Sequence, residues 1–261
     1  MDRDLENFVS YLIGRGLSRN SIVAFTSDVK SFLESGKTLK EWFTLLKDKG
    51  LKNKTLARKR SSLSLYFKWL GESVELPKIK PEKTLPIVLN EIESRALLEA
   101  STKTRNPKRD RLIIELFLKA GLRVGELLSL RPRDIEEDQD IHFIRIIQGK
   151  GSKDRRIPLV DKRLIRELKS YIKEIPDDER IFPLTARRIE YLVKYIAKKA
   201  GITKEVHPHT LRHTAATLYL KRGVNIESVR KTLGHTNLST TQIYLQLTDF
   251  DVAKDLARAQ W

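Results

Sequence analysis

The chain has 261 residues, 40% hydrophobic and 33% charged, with 51 basic against 34 acidic side chains and a formal net charge of +17. That length allows one large domain or two small ones, and the basic surplus points to a polyanionic partner; the ion-pair networks of a thermophilic surface would explain the number of charges but not their imbalance. With no cysteine, disulfides and thiolate metal sites are excluded. No apolar run approaches the ~18 residues of a membrane span. The opening MDRDLENFVSYLIGRGLS has early acids and no apolar stretch, unlike a signal peptide. The expectation is a soluble, cytoplasmic protein. Residues 1–80 carry +7 of the surplus and residues 81–261 carry +10, which suits a clamp better than a single basic tail.

The first 70 residues read as four helices. Leu5, Phe8, Val9, Leu12 and Ile13 recur at helical spacing, closed by Gly14 and Gly16. Ser18 is placed to cap a second helix carrying Ile22, Phe25, Val29, Phe32 and Leu33, which Gly36 stops. Leu39, Trp42, Phe43 and Leu46 suggest a third, ending near Gly50. Thr55 to Leu70 forms the fourth, with Leu56, Leu63, Phe67 and Leu70 facing inward. LPKIKPEKTLP follows, where three prolines among three lysines resist both helix and collapse. This predicts a helical domain over 1–76, a linker over 77–86 and a second domain over 87–261.

The second domain is predicted mainly α with a small β-sheet, an α+β arrangement. Helices are expected from Asn90 to Ala100 and Asp110 to Leu118, with a short helix or turn over Glu126–Leu130. IHFIRIIQ and RRIPL, on either side of Gly149 and Gly151, read as a β-hairpin. Further helices are predicted over Asp161–Ile175, Thr185–Ala200, Pro208–Arg222 and Asn225–Leu233. A short helix over Ser239–Leu247 and a tail helix over Phe250–Gln260 complete the chain.

Four stretches carry candidate chemistry. In HPHTLRHTAATLYLKRG, His209 and Arg212 are three apart and share a helix face, an imidazole and a guanidinium fork suited to an anionic oxygen. A solvated pair is the plain alternative. His209 and His213 are also four apart, as zinc ligands are, but no third ligand stands nearby and a basic site repels a cation. In LGHTNLSTTQIYLQ, His235 sits in the turn after Gly234 and Tyr244 follows nine residues later. A tyrosine among Ile243, Leu245 and Leu247 is ordinarily a packed residue; with polar neighbours near a histidine and arginines it is also a nucleophile candidate. In AGLRVGELLSL, Arg123 precedes a helix start and Glu126 is spaced to hold its guanidinium, unless the two form only a surface pair. In IIQGKGSKDRRIPL, Lys150 lies between glycines at the hairpin tip; the spacing is not that of a P-loop, and no nucleotide site is visible. Together, Arg123, Lys150, His209, Arg212, His235 and Tyr244 fit phosphoryl transfer, in which fixed donors stabilise the charge of the transition state.

These four stretches, in order and spacing over residues 86–247, resemble the signature regions of the tyrosine recombinase, or phage integrase, family. The chain is most similar in layout to the Xer recombinases that resolve chromosome dimers, with no extra arm-binding domain expected; heavy Lys, Ile and Glu usage suggests an archaeal or thermophilic member. The resemblance implies a helical core-binding domain and a catalytic domain. Tyr244 would attack the phosphate and form a 3′-phosphotyrosyl link. Arg123 and Arg212 would bind the scissile phosphate, and Lys150 would protonate the 5′ oxygen. His209 and His235 would assist at the phosphate, with Glu126 supporting Arg123. The resemblance further implies no cofactor and no metal. The partner would be double-stranded DNA carrying a specific site, gripped by a homo-tetramer whose tails dock head to tail. Lys52, Lys54, Arg58, Lys59 and Arg60 in KNKTLARKR, and Lys153, are candidate DNA contacts; a solvated helix face is the alternative for the first five. A mobile-element integrase, a type IB topoisomerase and a non-catalytic DNA-binding protein of the same fold are the competing readings.

Overall fold

The computed structural model describes residues 2–79, 85–147 and 154–234. Lys150, Lys153, His235 and Tyr244 lie outside the described residues, as do the expected helices over 239–247 and 250–260. The chain divides into two compact units, residues 1–84 and 85–261, each with its own core.

The first unit is four helices: α1 (Asp2–Gly14), α2 (Arg19–Ser35), α3 (Leu39–Asp48) and α4 (Asn53–Leu70). The Ser18 side chain accepts from the Ser21 backbone N–H and starts α2; Gly36, at φ 60°, ends it in the left-handed conformation that glycine adopts without steric cost. Thr38 and Glu41 cap α3 reciprocally. Phe8, Leu12, Val29, Trp42, Phe43, Leu56 and Leu63 meet in the core. Two expected core residues face out: Ile13 is 61% exposed and Leu70 41%. On α4 the buried stripe runs instead through Ser62, Leu63 and Tyr66, because Ser62 turns inward to donate to the buried Asp28. Pro77, expected in the linker, accepts from Arg60 Nε at 3.0 Å, and Ile79 packs on the same core.

The second unit is mainly helical with a small sheet. Its elements are α5 (Glu91–Ser101), α6 (Pro107–Ala120), α7 (Val124–Ser129), a 3-10 turn (Pro132–Asp134), β1 (Ile135–Asp138), β2 (Ile141–Ile146), β3 (Arg155–Leu159), α8 (Lys162–Ile172), α9 (Ala186–Lys199), α10 (Pro208–Lys221) and α11 (Ile226–Leu233). Helix α6 is buried nearly all round, from Leu112 to Leu118, as befits a central helix. The predicted hairpin is β2 and β3, antiparallel, with Ile144 opposite Ile157 and Ile146 opposite Arg155. A third strand, β1, was not expected. Its sequence IEED lacks apolar alternation, and it is held to β2 by a two-residue turn with Gln139 and Asp140 both at positive φ, 48° and 64°. Helix α8 stops at Ile172, short of the expected Ile175. No described helix is long and apolar enough to cross a membrane.

Candidate active site

The site is organised around the carboxylate of Glu126. Gly121 ends α6 at φ 62°, the chain turns, and Arg123 becomes the N-cap of α7. Glu126, one turn into α7, reaches back: Oε2 accepts from the Arg123 backbone N–H at 2.8 Å and Oε1 from Arg123 Nη1 at 2.7 Å. A carboxylate in a helix's first turn also meets the positive end of the helix dipole. Arg155, at the start of β3, closes the other side with a two-pronged contact, Nη1 to Oε1 and Nη2 to Oε2, both 2.9 Å. Burial alone would raise the carboxyl pKa of Glu126; the Arg155 fork, the Arg123 N–H, the Arg155 charge and the Arg123 side-chain hydrogen bond outweigh it and hold the group below its ordinary 4.5.

Arg212 lies on α10 with only 3% of its surface exposed. A guanidinium at that depth needs partners, since an uncompensated buried charge is costly. Its Nη1 donates to the Gly121 carbonyl and sits 4.0 Å from Glu126 Oε2, while Nη2 donates to the Leu233 carbonyl. Arg123 Nη2 donates to Gly234 O at 3.1 Å, and Arg155 Nε to Thr232 O at 3.1 Å. Three successive carbonyls at the C-terminal end of α11 are thus each taken by a different arginine. Two glycines make this approach feasible. A Cβ on Gly121 would stand 2.5 Å from Leu233 Cδ2, and one on Gly234 (φ 66°) 2.9 Å from the Arg155 side chain.

His209 precedes Arg212 by one helical turn and is exposed; its ring lies 6.4 Å from that of His213. Burial first, then the charges of His209 and Arg212, push the His213 pKa down to about 4, so it is neutral at pH 7. Among the described residues no group of three metal-ligating side chains forms.

The structure therefore brings together Arg123, Glu126 and Arg212, with His209 a turn away. It adds Arg155, which sequence reasoning missed. The signal was there: Ile157 and Leu159 are the buried positions of β3, so strand alternation puts Arg155 on the same inward face, with Arg156 and Pro158 outward. Of the basic residues at the start of α4, Lys52 (its N-cap) and Lys54 are exposed. Arg58 and Lys59 both bind Asp28, and Lys59 also lies over the Trp42 ring at 5.3 Å, only 13% exposed.

Three guanidiniums around one carboxylate leave two positive charges over, on a helical two-unit chain: the equipment of a protein that receives an anionic oxygen. Residues 88–250 match the phage integrase family and residues 5–72 its N-terminal SAM-like domain, so the chain belongs to the phage integrase family, the tyrosine recombinases, whose members are site-specific DNA recombinases. It is 40% identical to the tyrosine recombinase of Pseudothermotoga lettingae over 95% of each chain. It is 37% identical to tyrosine recombinase XerA of Thermococcus kodakarensis, over 94% of this chain and 90% of that one. Its fold is similar to that of XerH recombinase bound to its difH substrate, with a TM-score of 0.76 at 23% identity, covering 97% of this chain and 83% of the other.

Proposed function

We propose that this chain cuts and rejoins double-stranded DNA at a specific site through Tyr244, as a homo-tetramer in the cytoplasm, and that its task is Xer-like resolution of chromosome dimers. The observation that carries the chemistry is the surplus of two positive charges on the Arg123–Glu126–Arg155–Arg212 cluster. A phosphodiester carries one negative charge and its five-coordinate transition state about two, so such a cluster favours the transition state over the ground state.

In this reading Arg123 and Arg212 take the non-bridging oxygens, with His209 and His235 alongside. Tyr244 Oη forms a bond to phosphorus as the bond to the 5′ oxygen breaks. The phenol proton leaves to a base, and Lys150 gives the 5′ oxygen its proton. The phosphotyrosyl link conserves the energy of the broken bond, so a 5′ hydroxyl can reverse the step without ATP. Lys52, Lys54 and Lys153 add backbone contacts, and Arg58, Lys59 and Arg60 stiffen the helix that presents the first two. Support for the Xer role comes from the relatives named XerA, which this chain matches over nearly its whole length. A mobile-element integrase shares the chemistry and would be told apart by an attachment site beside its gene.

The test is covalent trapping on nicked duplexes carrying candidate sites, resolved on denaturing gels. The natural chain should give a protein–DNA adduct and Tyr244→Phe, which lacks only the nucleophilic oxygen, should give none. An adduct that persists in Tyr244→Phe would show the nucleophile to be another residue.

A further inference from the structure

We infer that Arg155 is a positioning residue for the cleavage step: it touches no phosphate but sets the geometry of both phosphate-binding arginines. The inference rests on the recombinase reading above. Arg155 is placed on the buried face of β3, level with Ile157 and Leu159, a position where an arginine is tolerable only if its charge is met. It is met fully. Its two terminal nitrogens grip both oxygens of Glu126, its Nε holds Thr232 O, and its side chain is 9% exposed.

Each of those contacts leads to another cationic group. Glu126 holds Arg123 by the backbone and by the guanidinium. Thr232 belongs to the helix end whose next two carbonyls receive Arg212 and Arg123. On β3 itself, Arg155 is paired with Ile146 in the last rung before the residues that carry Lys150 in sequence. One side chain therefore ties together α7, α11 and the hairpin. Gly234 shows how tightly: a single added carbon there would lie 2.9 Å from three atoms of Arg155. No other residue can repeat this. Lysine keeps the charge but has one nitrogen, and cannot hold two carboxylate oxygens and a carbonyl in one plane.

The experiment is single-turnover cleavage of a nicked duplex by the natural chain, Tyr244→Phe, Arg155→Lys, Arg123→Lys and the double variant, with DNA affinity measured separately. Arg155→Lys should lower the cleavage rate at saturating DNA about 100-fold, the scale of a displacement near 1 Å in a catalytic group. Affinity, set by the many phosphate contacts, should change less than about threefold. In the Arg123→Lys background the same change should cost about tenfold or less, because residues acting through one another are not additive. A purely structural role would leave the two losses independent. Cleavage at the natural rate, a loss confined to affinity, or full additivity would each overturn the proposal. Should Arg155→Lys melt below the assay temperature, Glu126→Gln, which leaves Arg155 in place but weakens its hold, must show the same fall in rate at constant affinity; a natural rate there overturns it equally. If the natural chain itself forms no adduct above the Tyr244→Phe background, the recombinase reading fails first and takes this role with it.

Discussion

His213 shows what burial does to a base. It follows Arg212 on α10, and its pKa of about 4 lies well below the 6.5 of an exposed imidazole. The unfolded chain therefore takes up this proton near pH 6.5 while the folded chain refuses it until about pH 4. Between those values the unfolded state binds more protons, so stability falls as the pH falls. The loss from this group should be on the order of 3 kcal/mol, read from urea midpoints at successive pH values, and His213→Gln should flatten that segment of the curve. Glu126 acts lower down: its stabilising contribution is complete above 4.5 and disappears as the pH falls through its depressed folded value. The i, i+3 spacing of His209 and Arg212 on one helix, and the pairing of Arg123 with Glu126, were legible because they depend only on neighbours in sequence. Strand alternation turns Arg155 inward, but its partner was not legible, because Glu126 lies 29 residues away and only the three-dimensional fold joins them.

At the scale of elements, the turn that ends α6 does two jobs. Gly121 supplies the left-handed φ and leaves room for Leu233, and its carbonyl receives Arg212. Gly50 has a similar φ of 73° but open space around it. Gly50→Ala should then cost only backbone strain, about 1–2 kcal/mol, whereas Gly121→Ala adds overpacking of about 1–3 kcal/mol. Thermal melting of the two variants side by side should place Gly121→Ala several degrees lower. The helix starts at Ser18 and Asn90 and the stops at Gly36 and Gly121 could be read directly, since capping is a local matter. Strand β1 could not. Its pairing with β2 depends on Gln139 and Asp140 both adopting positive φ, which aspartate tolerates but glutamine does not announce. Leu70 misled for a related reason: periodicity gave the stripe of α4, but its rotation also follows the Ser62–Asp28 bond and the burial of Tyr66, which leave Leu70 at the rim.

For the whole molecule, the decisive quantity is charge. Both units are basic, and within α4 part of that charge is turned inward to Asp28, so composition overstates what faces a partner there. The remainder is still large. Duplex affinity should fall by at least about 10³-fold between 50 and 200 mM salt, as for a protein making six or more phosphate contacts. Fluorescence anisotropy across that range checks it, and a fall of less than tenfold would mean that the surplus does not face DNA. The two separate cores were legible as two runs of apolar periodicity divided by a proline-rich stretch. The arginine cluster within the second unit has one more consequence. The acceptors that hold its three cations at the end of α11 are main-chain oxygens of residues 232, 233 and 234. Main-chain oxygens do not change when a side chain does. The donors are therefore written in side chains and the acceptors are not: the Thr232 hydroxyl takes no part in the grip, whereas Gly234 must stay small for Arg155 to reach its carbonyl.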